Sequence, residues 1–187
     1  MNKIIKNVRF VRLSALLLLA GGHVMAEQPA VRADILSVRE RRPAPEFRLN
    51  DALGKQSQLS KFHGHVVLLN FWATECGGCK VEIPYFMEFD QAYHSKGFQA
   101  LGISMEVLYQ DLKGPEEGWA RVNPFVKDRK IRYPILMADD TVTKAYGVDL
   151  MPATYLIDKK GRVAAKYIGL VDKADVEGKL KMLLKER

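Results

Sequence analysis

The segment NFWATECGGCKVEIP, residues 70–84, contains Cys76 and Cys79, the only cysteines of the 187-residue chain. It overlaps the uncharged apolar run VVLLNFW, residues 66–72, which predicts a central strand buried on both faces. After Cys79, apolar residues recur at helical spacing, and Pro84 within this run predicts a kink in the helix. The sequence therefore places two thiols between a buried strand and a helix.

Several uses of this cysteine pair can be compared. A disulfide across so short a loop constrains the unfolded chain little, so a purely structural bond is disfavoured. Covalent haem attachment needs a histidine directly after the second cysteine, where this chain has Lys80. A metal site would need further ligands, and His63, His65 and His94 show no ligand-like spacing to the pair. Metal capture by the two thiolates stays open as an alternative.

Redox exchange needs two thiols that are close enough to form a disulfide, and Cys76 and Cys79 meet this requirement. Cys76, at a helix N-terminus where free N–H groups stabilise a thiolate, would be the exposed attacking thiol. Cys79, one turn deeper, would resolve the mixed disulfide by attacking Cys76. A Cys-x-x-Cys pair beside a βαβ pattern is typical of thioredoxin-like redox proteins. The residues alone therefore favour a redox site.

The first 26 residues have the layout of an export signal, with a basic start, the apolar run LSALLLLAGG and a cleavage site after Ala26. This run is shorter than the roughly 20 residues of a membrane-spanning helix, so cleavage is favoured over retention as an anchor. Four cations of this segment contribute to the net charge of +7, which leaves +3 for the mature chain and weakens a nucleic-acid interpretation. We expect export to the periplasm, an oxidising compartment.

Removing 26 residues from 187 leaves 161, which suits one domain. We predict a polar leader over residues 27–43 and the folded domain over residues 44–187. Alternating strands and helices predict an α/β fold with a mixed sheet, and EFRLND and KQSQLS predict a hairpin that turns at Gly54. Residues 106–118 are predicted to be loop-like, with a helix resuming at Trp119 and Pro124 near its start. The segment VLYQDLKGPEEGW, residues 107–119, is a candidate for partner choice, with a solvated connection as the alternative.

Two segments resemble the signatures of the TlpA/ResA/CcmG-type family of exported thioredoxin-like proteins: APEFRLNDALGKQSQLSKFHGHVVLLNFWATECGGCKVEIPYF and AYGVDLMPATYLIDKKGRV. The similarity spans residues 44–185. It implies a thioredoxin-like α/β fold with a mixed central sheet flanked by helices, an N-terminal β-hairpin, and an insert in the βαβ core. It also implies thiol-disulfide oxidoreductase activity through the redox-active disulfide itself, without a cofactor or a metal.

The resemblance also implies roles for particular residues. Met151–Pro152 matches the family's cis-proline site, which lies against the cysteine pair and helps to hold substrate backbone. Trp72 is expected to pack beside the redox site, as the family's first tryptophan does, and we group the three as substrate-binding candidates. A trans proline in a turn is the alternative for Pro152.

Glu82 matches the family's acidic residue near the dithiol, where a carboxylate can exchange a proton and raise a thiol's pKa. Its alternative is a solvated helix glutamate. Because Asn70 falls where cytosolic thioredoxins carry a buried aspartate, Glu82 is the better candidate for proton relay.

Two positions depart from the family pattern. Glu75 replaces the tryptophan that usually precedes the first cysteine, and Gly78 replaces the usual proline before the second. A negative charge beside Cys76 disfavours its thiolate, and the pair Gly77–Gly78 loosens the first helical turn. We therefore predict a less acidic Cys76 than in relatives with the common motif.

The leading hypothesis is a periplasmic thiol-disulfide oxidoreductase that acts on cysteines of exported proteins as a reductant, for example in cytochrome c maturation. The resemblance implies re-reduction by a membrane protein such as a CcdA/DsbD-type donor. An oxidant role stays open, because no motif fixes the reduction potential. Two alternatives are a metal or copper chaperone that uses the dithiol as ligand, and a thiol peroxidase, which is disfavoured because the proline expected upstream of a peroxidatic cysteine is absent.

Overall fold

The structure is a computed structural model that describes residues 29–186, so the predicted export signal lies outside the described residues. A short two-stranded hairpin precedes a five-stranded sheet. The strands are β1 (Arg48–Asn50), β2 (Gln56–Gln58), β3 (Val66–Trp72), β4 (Phe98–Ser104), β5 (Ile135–Met137), β6 (Ala153–Ile157) and β7 (Val163–Ile168). The helices are α1 (Gly77–Tyr93), α2 (Glu106–Tyr109), α3 (Pro115–Arg129), α4 (Asp140–Tyr146) and α5 (Lys173–Lys185).

Strand β3 lies at the centre of the large sheet, whose order is β5–β4–β3–β6–β7. It runs parallel to β4, with Val66 opposite Phe98 and Trp72 opposite Ser104, and antiparallel to β6. All seven residues of β3 are buried, because helices or the hairpin cover both faces of the sheet. The predicted central strand and mixed sheet are both confirmed.

Two apolar layers hold the sheet in place. On one face, side chains of α1, α3 and α5 pack together, including Phe86, Val122 and Leu180. On the other face, the hairpin and α4 pack against the odd-numbered residues of β3. These residues share one face because successive side chains of a strand point to opposite faces of the sheet. This arrangement confirms the predicted thioredoxin-like α/β fold.

The predicted N-terminal hairpin is present and closes the second layer. Strand β1 pairs antiparallel with β2, and the turn between them contains Gly54 at a φ of 76°, a left-handed conformation that glycine adopts without steric cost. Leu49 and Leu59 are buried against that face of the sheet. The hairpin therefore contributes apolar area to the core.

The insert between β4 and β5 differs from the prediction. Residues 106–118 were expected to be loop-like, yet they contain α2 and the first turn of α3. Helix α3 begins at Pro115, because a proline at the first helical position loses no hydrogen bond and Glu116 and Glu117 complement the helix dipole. Pro124, expected near the start of this helix, lies in its interior.

The part of the leader that the structure describes, residues 29–43, lies beside β7 and the end of α5. The backbone of Leu36 donates to Ala164 O at 2.8 Å, and Pro43 forms a bridge with Arg162. Arg41 is buried and its guanidinium contacts Asp158 at 3.2 Å. The boundary between leader and domain stays a prediction. Between residues 29 and 186 there is no helix with the length and apolar character needed to cross a membrane.

Candidate active site

The two cysteines lie where β3 gives way to α1. Cys76 is the N-cap residue of α1, and its Sγ accepts a hydrogen bond from the backbone N–H of Cys79 at 3.2 Å. The two residues form a disulfide. Cys76 is 7% exposed, whereas Cys79 has no accessible surface. The sulfur of Cys76 is therefore the one that a partner thiol can reach.

The start of α1 favours a negatively charged sulfur once the disulfide is reduced. Cys76 precedes a first turn whose N–H groups lack intrahelical acceptors and carry the positive end of the helix dipole, and this turn contains no acidic residue. Glu75 is exposed, and its carboxylate lies 3.4 Å from Nζ of Lys80. Lys80 therefore offsets part of the negative charge beside the cysteine. The predicted effect of Glu75 on the acidity of Cys76 stays a prediction.

Glu82 lies on α1, three residues after Cys79, and has no accessible surface. At this spacing two side chains are neighbours on one helix face. The Glu82 carboxylate accepts hydrogen bonds from Val171 N–H at 2.7 Å and from Asn70 Nδ2 at 3.3 Å. Burial raises the pKa of Glu82 to about 8, and the two hydrogen bonds oppose that rise. This carboxyl group can therefore take up or release a proton near neutral pH, one turn from the buried sulfur.

Asn70 connects this carboxyl group to the next strand. Its Nδ2 also donates to Thr154 Oγ1 on β6 at 2.9 Å, while its Oδ1 is buried and has no hydrogen-bond partner among the described residues. Because an amide can turn over by rotation about its terminal bond, Asn70 can present either a donor or an acceptor to Glu82. The position that holds an aspartate in cytosolic thioredoxins therefore orients the carboxyl group here.

The peptide bond between Met151 and Pro152 is cis, and the proline packs against the helix start. A Cβ at Gly78 would lie 3.2 Å from Cδ of Pro152. Pro152 is buried, and Met151 is partly exposed in a groove beside Cys76. The segment predicted to hold substrate backbone therefore lies next to the accessible sulfur.

Trp72 packs under the site, in the same apolar cluster as both cysteines. Its ring centroid lies 5.3 Å from that of Phe125 on α3, and it has no accessible surface. This position fits the predicted packing role, but it leaves Trp72 out of reach of a bound partner.

The sequence reasoning missed Glu106, a second buried carboxylate at the site. It accepts hydrogen bonds at 2.8 Å from both the backbone N–H and the Oγ1 of Thr74, two residues before Cys76. Glu106 thereby fixes the loop that leads from β3 to the cysteines. A signal was available, because Glu106 follows the end of β4, and the carboxyl ends of neighbouring parallel strands meet at one edge of the sheet.

A groove of about 410 Å³ opens beside the disulfide. One side is the start of α1, the second is α2 with Met105 before it, and the third is the segment that leads to the cis proline. Gly77, which has open space where a side chain would be, leaves the backbone of the helix start uncovered on this side. Among residues 29–186, no group of three or more His, Cys, Asp or Glu side chains is arranged to hold a metal ion.

Comparisons with known proteins agree with this geometry. Residues 41–166 match the AhpC/TSA family. Over 179 residues the chain is 31% identical to the thiol-disulfide oxidoreductase ResA of a Bacillus cereus strain, covering 95% of this chain and 98% of that protein. It is 33% identical over 140 residues to ResA of Geobacillus thermodenitrificans, covering 75% of each. The crystal structure of a thiol:disulfide interchange protein of the thioredoxin family from Chlorobium tepidum TLS aligns with a TM-score of 0.65 at 27% identity, over 77% of this chain and 97% of that one.

A thioredoxin-like fold with a Cys-x-x-Cys pair at the start of its first long helix defines a class of thiol-disulfide oxidoreductases. The chain belongs to the AhpC/TSA family, and within it the chain is a ResA-like, thioredoxin-like thiol-disulfide oxidoreductase. The suspected family is confirmed.

Proposed function

We propose that this enzyme is exported and reduces disulfides of partner proteins, passing two electrons from its Cys76/Cys79 dithiol. The observation that carries the proposal is the pairing of a reachable sulfur at a helix N-terminus with a buried sulfur one turn away. The groove beside Cys76 gives an extended partner segment access to that sulfur. The ResA relatives, named thiol-disulfide oxidoreductases, support the same chemistry.

The proposed reaction has two exchange steps. In the first, the Cys76 thiolate attacks one sulfur of a partner disulfide, a mixed disulfide forms, and the partner's second sulfur leaves as a thiolate. In the second, the Cys79 thiolate attacks the Cys76 sulfur, the mixed disulfide breaks, and the partner's first sulfur leaves as a thiolate. The partner has gained two electrons, and the enzyme is left with its intramolecular disulfide.

Glu82 is the group that we assign to proton transfer in the second step. The Cys79 thiol must lose its proton before it attacks, and Glu82 is the carboxylate on the same helix face, one turn away. Two adjacent anions in a buried site repel each other, so the thiolate and the carboxylate share one proton rather than both ionising. A pKa of about 8 for Glu82 keeps both of its forms populated close to neutral pH.

The compartment and the partners are part of the proposal and rest on the sequence. The export signal directs the protein to the periplasm, where an oxidising environment makes a dedicated reductant useful. We propose cysteine-containing exported proteins as substrates, with apocytochrome c as one example, and a CcdA/DsbD-type membrane protein as the electron donor. The redox-active disulfide is then the only redox group that the enzyme needs.

Insulin reduction with dithiothreitol as the electron source tests the reaction. The wild type should accelerate insulin precipitation. When the reduced variant Cys79→Ser is mixed with insulin after dithiothreitol has been removed, the reaction should stop at a mixed disulfide through Cys76. Cys76→Ser is the matched control and should form no such adduct, because its remaining sulfur is buried. Stoichiometric Cu(I) binding without turnover would instead support the chaperone alternative, and consumption of hydrogen peroxide would support the peroxidase alternative.

A further inference from the structure

The groove beside the disulfide has an apolar surface that the packing of the core does not require. Leu108, Tyr109 and Leu150 are large apolar side chains that remain exposed, and all three line this groove. Leu150, next to the cis peptide, is 67% exposed. A cluster of exposed apolar side chains around a reactive group is typical of a surface that binds a partner.

The charged side chains that line the same groove are both acidic. Glu75 lies beside Cys76 on one side, and Asp149 lies beside Leu150 on another. Lys80 contacts Glu75 at 3.4 Å but is not part of the lining, and Asp149 forms no ion pair with any described residue. The groove therefore presents apolar surface with a negative potential at the point where a partner cysteine must enter.

We propose that the groove selects extended partner segments in which the reacting cysteine is flanked by an apolar residue and by lysine or arginine. This inference rests on the proposed function and names the substrate class of that site. The apolar side chain contacts Leu108, Tyr109 and Leu150, and the cation lies near Glu75 and Asp149. Complementary charge raises the encounter rate and orients the segment, while the exchange steps are those described above.

Two disulfide peptides of equal length test this selectivity, one with lysines and one with glutamates on either side of the cysteines. At low ionic strength the reduced wild type should react with the lysine peptide about fivefold faster. In the double variant Glu75→Gln, Asp149→Asn this ratio should fall towards one. Glu88→Gln, which removes an exposed carboxylate farther along α1, is the matched control and should keep the ratio.

Each outcome separates this proposal from the proposed function. If both peptides are reduced at equal rates, or if the glutamate peptide reacts faster, charge selection is refuted and the oxidoreductase function stands. If neither peptide reacts although dithiothreitol opens the Cys76–Cys79 disulfide, the proposed function itself fails. A ratio that persists in the double variant would also contradict the assignment to Glu75 and Asp149.

A different set of contacts carries a second inference, which concerns the leader. Val31 pairs with the segment that follows β7: its N–H donates to Leu170 O at 2.6 Å, and its C=O accepts from Asp172 N–H at 2.9 Å. Gly169, at the start of the same segment, donates to Pro152 O at 2.8 Å. The leader therefore contacts a segment that also touches the cis-proline side of the redox site.

The geometry of one peptide unit links this pairing to Glu82. In a trans peptide the C=O and the N–H point in opposite directions. Because the carbonyl between Leu170 and Val171 faces Val31, the N–H of Val171 faces the other way, where it donates to Glu82 at 2.7 Å. The leader thus holds the donor that stabilises the charged form of the buried carboxylate.

We infer that Val31 is a positioning residue of the redox site, which acts on Glu82 through the segment 170–172. The other ionisable groups whose charges act in this region are the two cysteines, once reduced, Tyr133, and Asp90, which affects Tyr133 together with Glu82. None of them forms a hydrogen bond or an ion pair with the described part of the leader. A change confined to Val31 therefore reports on the Val171–Glu82 contact.

Val31→Pro removes the N–H that donates to Leu170 while leaving the rest of the leader in place. The pH midpoint of the second exchange step should move upwards by about one pH unit, because the carboxylate loses a hydrogen bond to its charged form. Ala30→Pro is the matched control, since its N–H donates to no described residue, and it should leave the midpoint unchanged.

A double-mutant comparison distinguishes positioning from general loosening. In a Glu82→Gln background, Val31→Pro should cause no further shift of the pH midpoint. A shift caused by general loosening of the fold would persist in that background. Faster hydrogen exchange of the Asp172 amide shows that the pairing has been released. If the exchange rate shows that the pairing between Val31 and the segment 170–172 is intact in Val31→Pro, the same measurements are made on a variant that lacks residues 27–36. Release of the pairing without a shift of the midpoint, or an equal shift in both backgrounds, would overturn the inference.

Discussion

Replacing the buried Glu82 by glutamine should remove a large pH dependence of stability. Burial raises the pKa of this carboxyl group from its ordinary value of 4.5 to about 8. The folded protein therefore binds the Glu82 proton more tightly than the unfolded chain, so stability is lost as pH rises through this interval. Each unit of difference between the folded and unfolded pKa values is worth ~1.4 kcal/mol. The part of this effect that falls between about pH 5.5 and about pH 9 lowers the free energy of unfolding by about 3 kcal/mol.

The variant can keep the packing of the site. The new amide oxygen can accept from Val171 N–H, and its NH₂ group can donate to Asn70 Oδ1, which has no hydrogen-bond partner among the described residues. The oxidised form should be used, because disulfide-bonded cysteines do not titrate. Urea unfolding across this pH range should then show a shallower decline for Glu82→Gln than for the wild type. Parallel pH curves for the two proteins would refute the reasoning, and the exposed Glu88→Gln is the control.

Substitutions at three further positions, Glu75, Arg41 and Thr74, test other contacts of the site and the fold. Glu75→Gln and Glu75→Trp should each lower the pKa of the Cys76 thiol, seen as faster alkylation at lower pH, and an unchanged alkylation profile would exclude Glu75 as the cause. Arg41→Met should cost about 2 kcal/mol in urea unfolding, because it removes the buried cation that joins Asp158 to Glu186, although Asp158 keeps its ion pair with Arg162. The neighbouring, exposed Arg42→Met should cost little. Thr74→Val should lower stability by about 1–2 kcal/mol, because it removes the hydroxyl donor of a buried carboxylate; equal melting temperatures would contradict this role.

The sequence predicted the parts of the fold that depend on local pattern. The charge-free run over residues 66–72 is the observed β3, and the Cys-x-x-Cys pair lies at the start of a helix, as strand, cap and helix signals together indicated. The start of α3 was misplaced. The pattern from Trp119 onwards predicts a helix start close to Pro124, yet the helix begins at Pro115, where the missing N–H costs no hydrogen bond and two glutamates complement the helix dipole.

Contacts between distant parts of the chain could not be read from local pattern. Glu106 binds Thr74 across 32 positions, and Val31 pairs with Val171 across a still longer separation. Both contacts depend on which strands become neighbours, information that periodicity does not contain. Glu82 was identified through the family resemblance, but its complete burial arises because α1 packs that side of the helix against the sheet.

The most direct test of the central claim is a redox titration of the Cys76–Cys79 pair, in which the dithiol and disulfide forms are separated after acid quenching. A protein reductant in an oxidising compartment requires reversible interconversion with a midpoint more negative than about −200 mV. We expect that result for the wild type, with loss of the transition in Cys76→Ser and in Cys79→Ser. A pair that does not interconvert, or a midpoint near the roughly −120 mV of a strong oxidant, would contradict it.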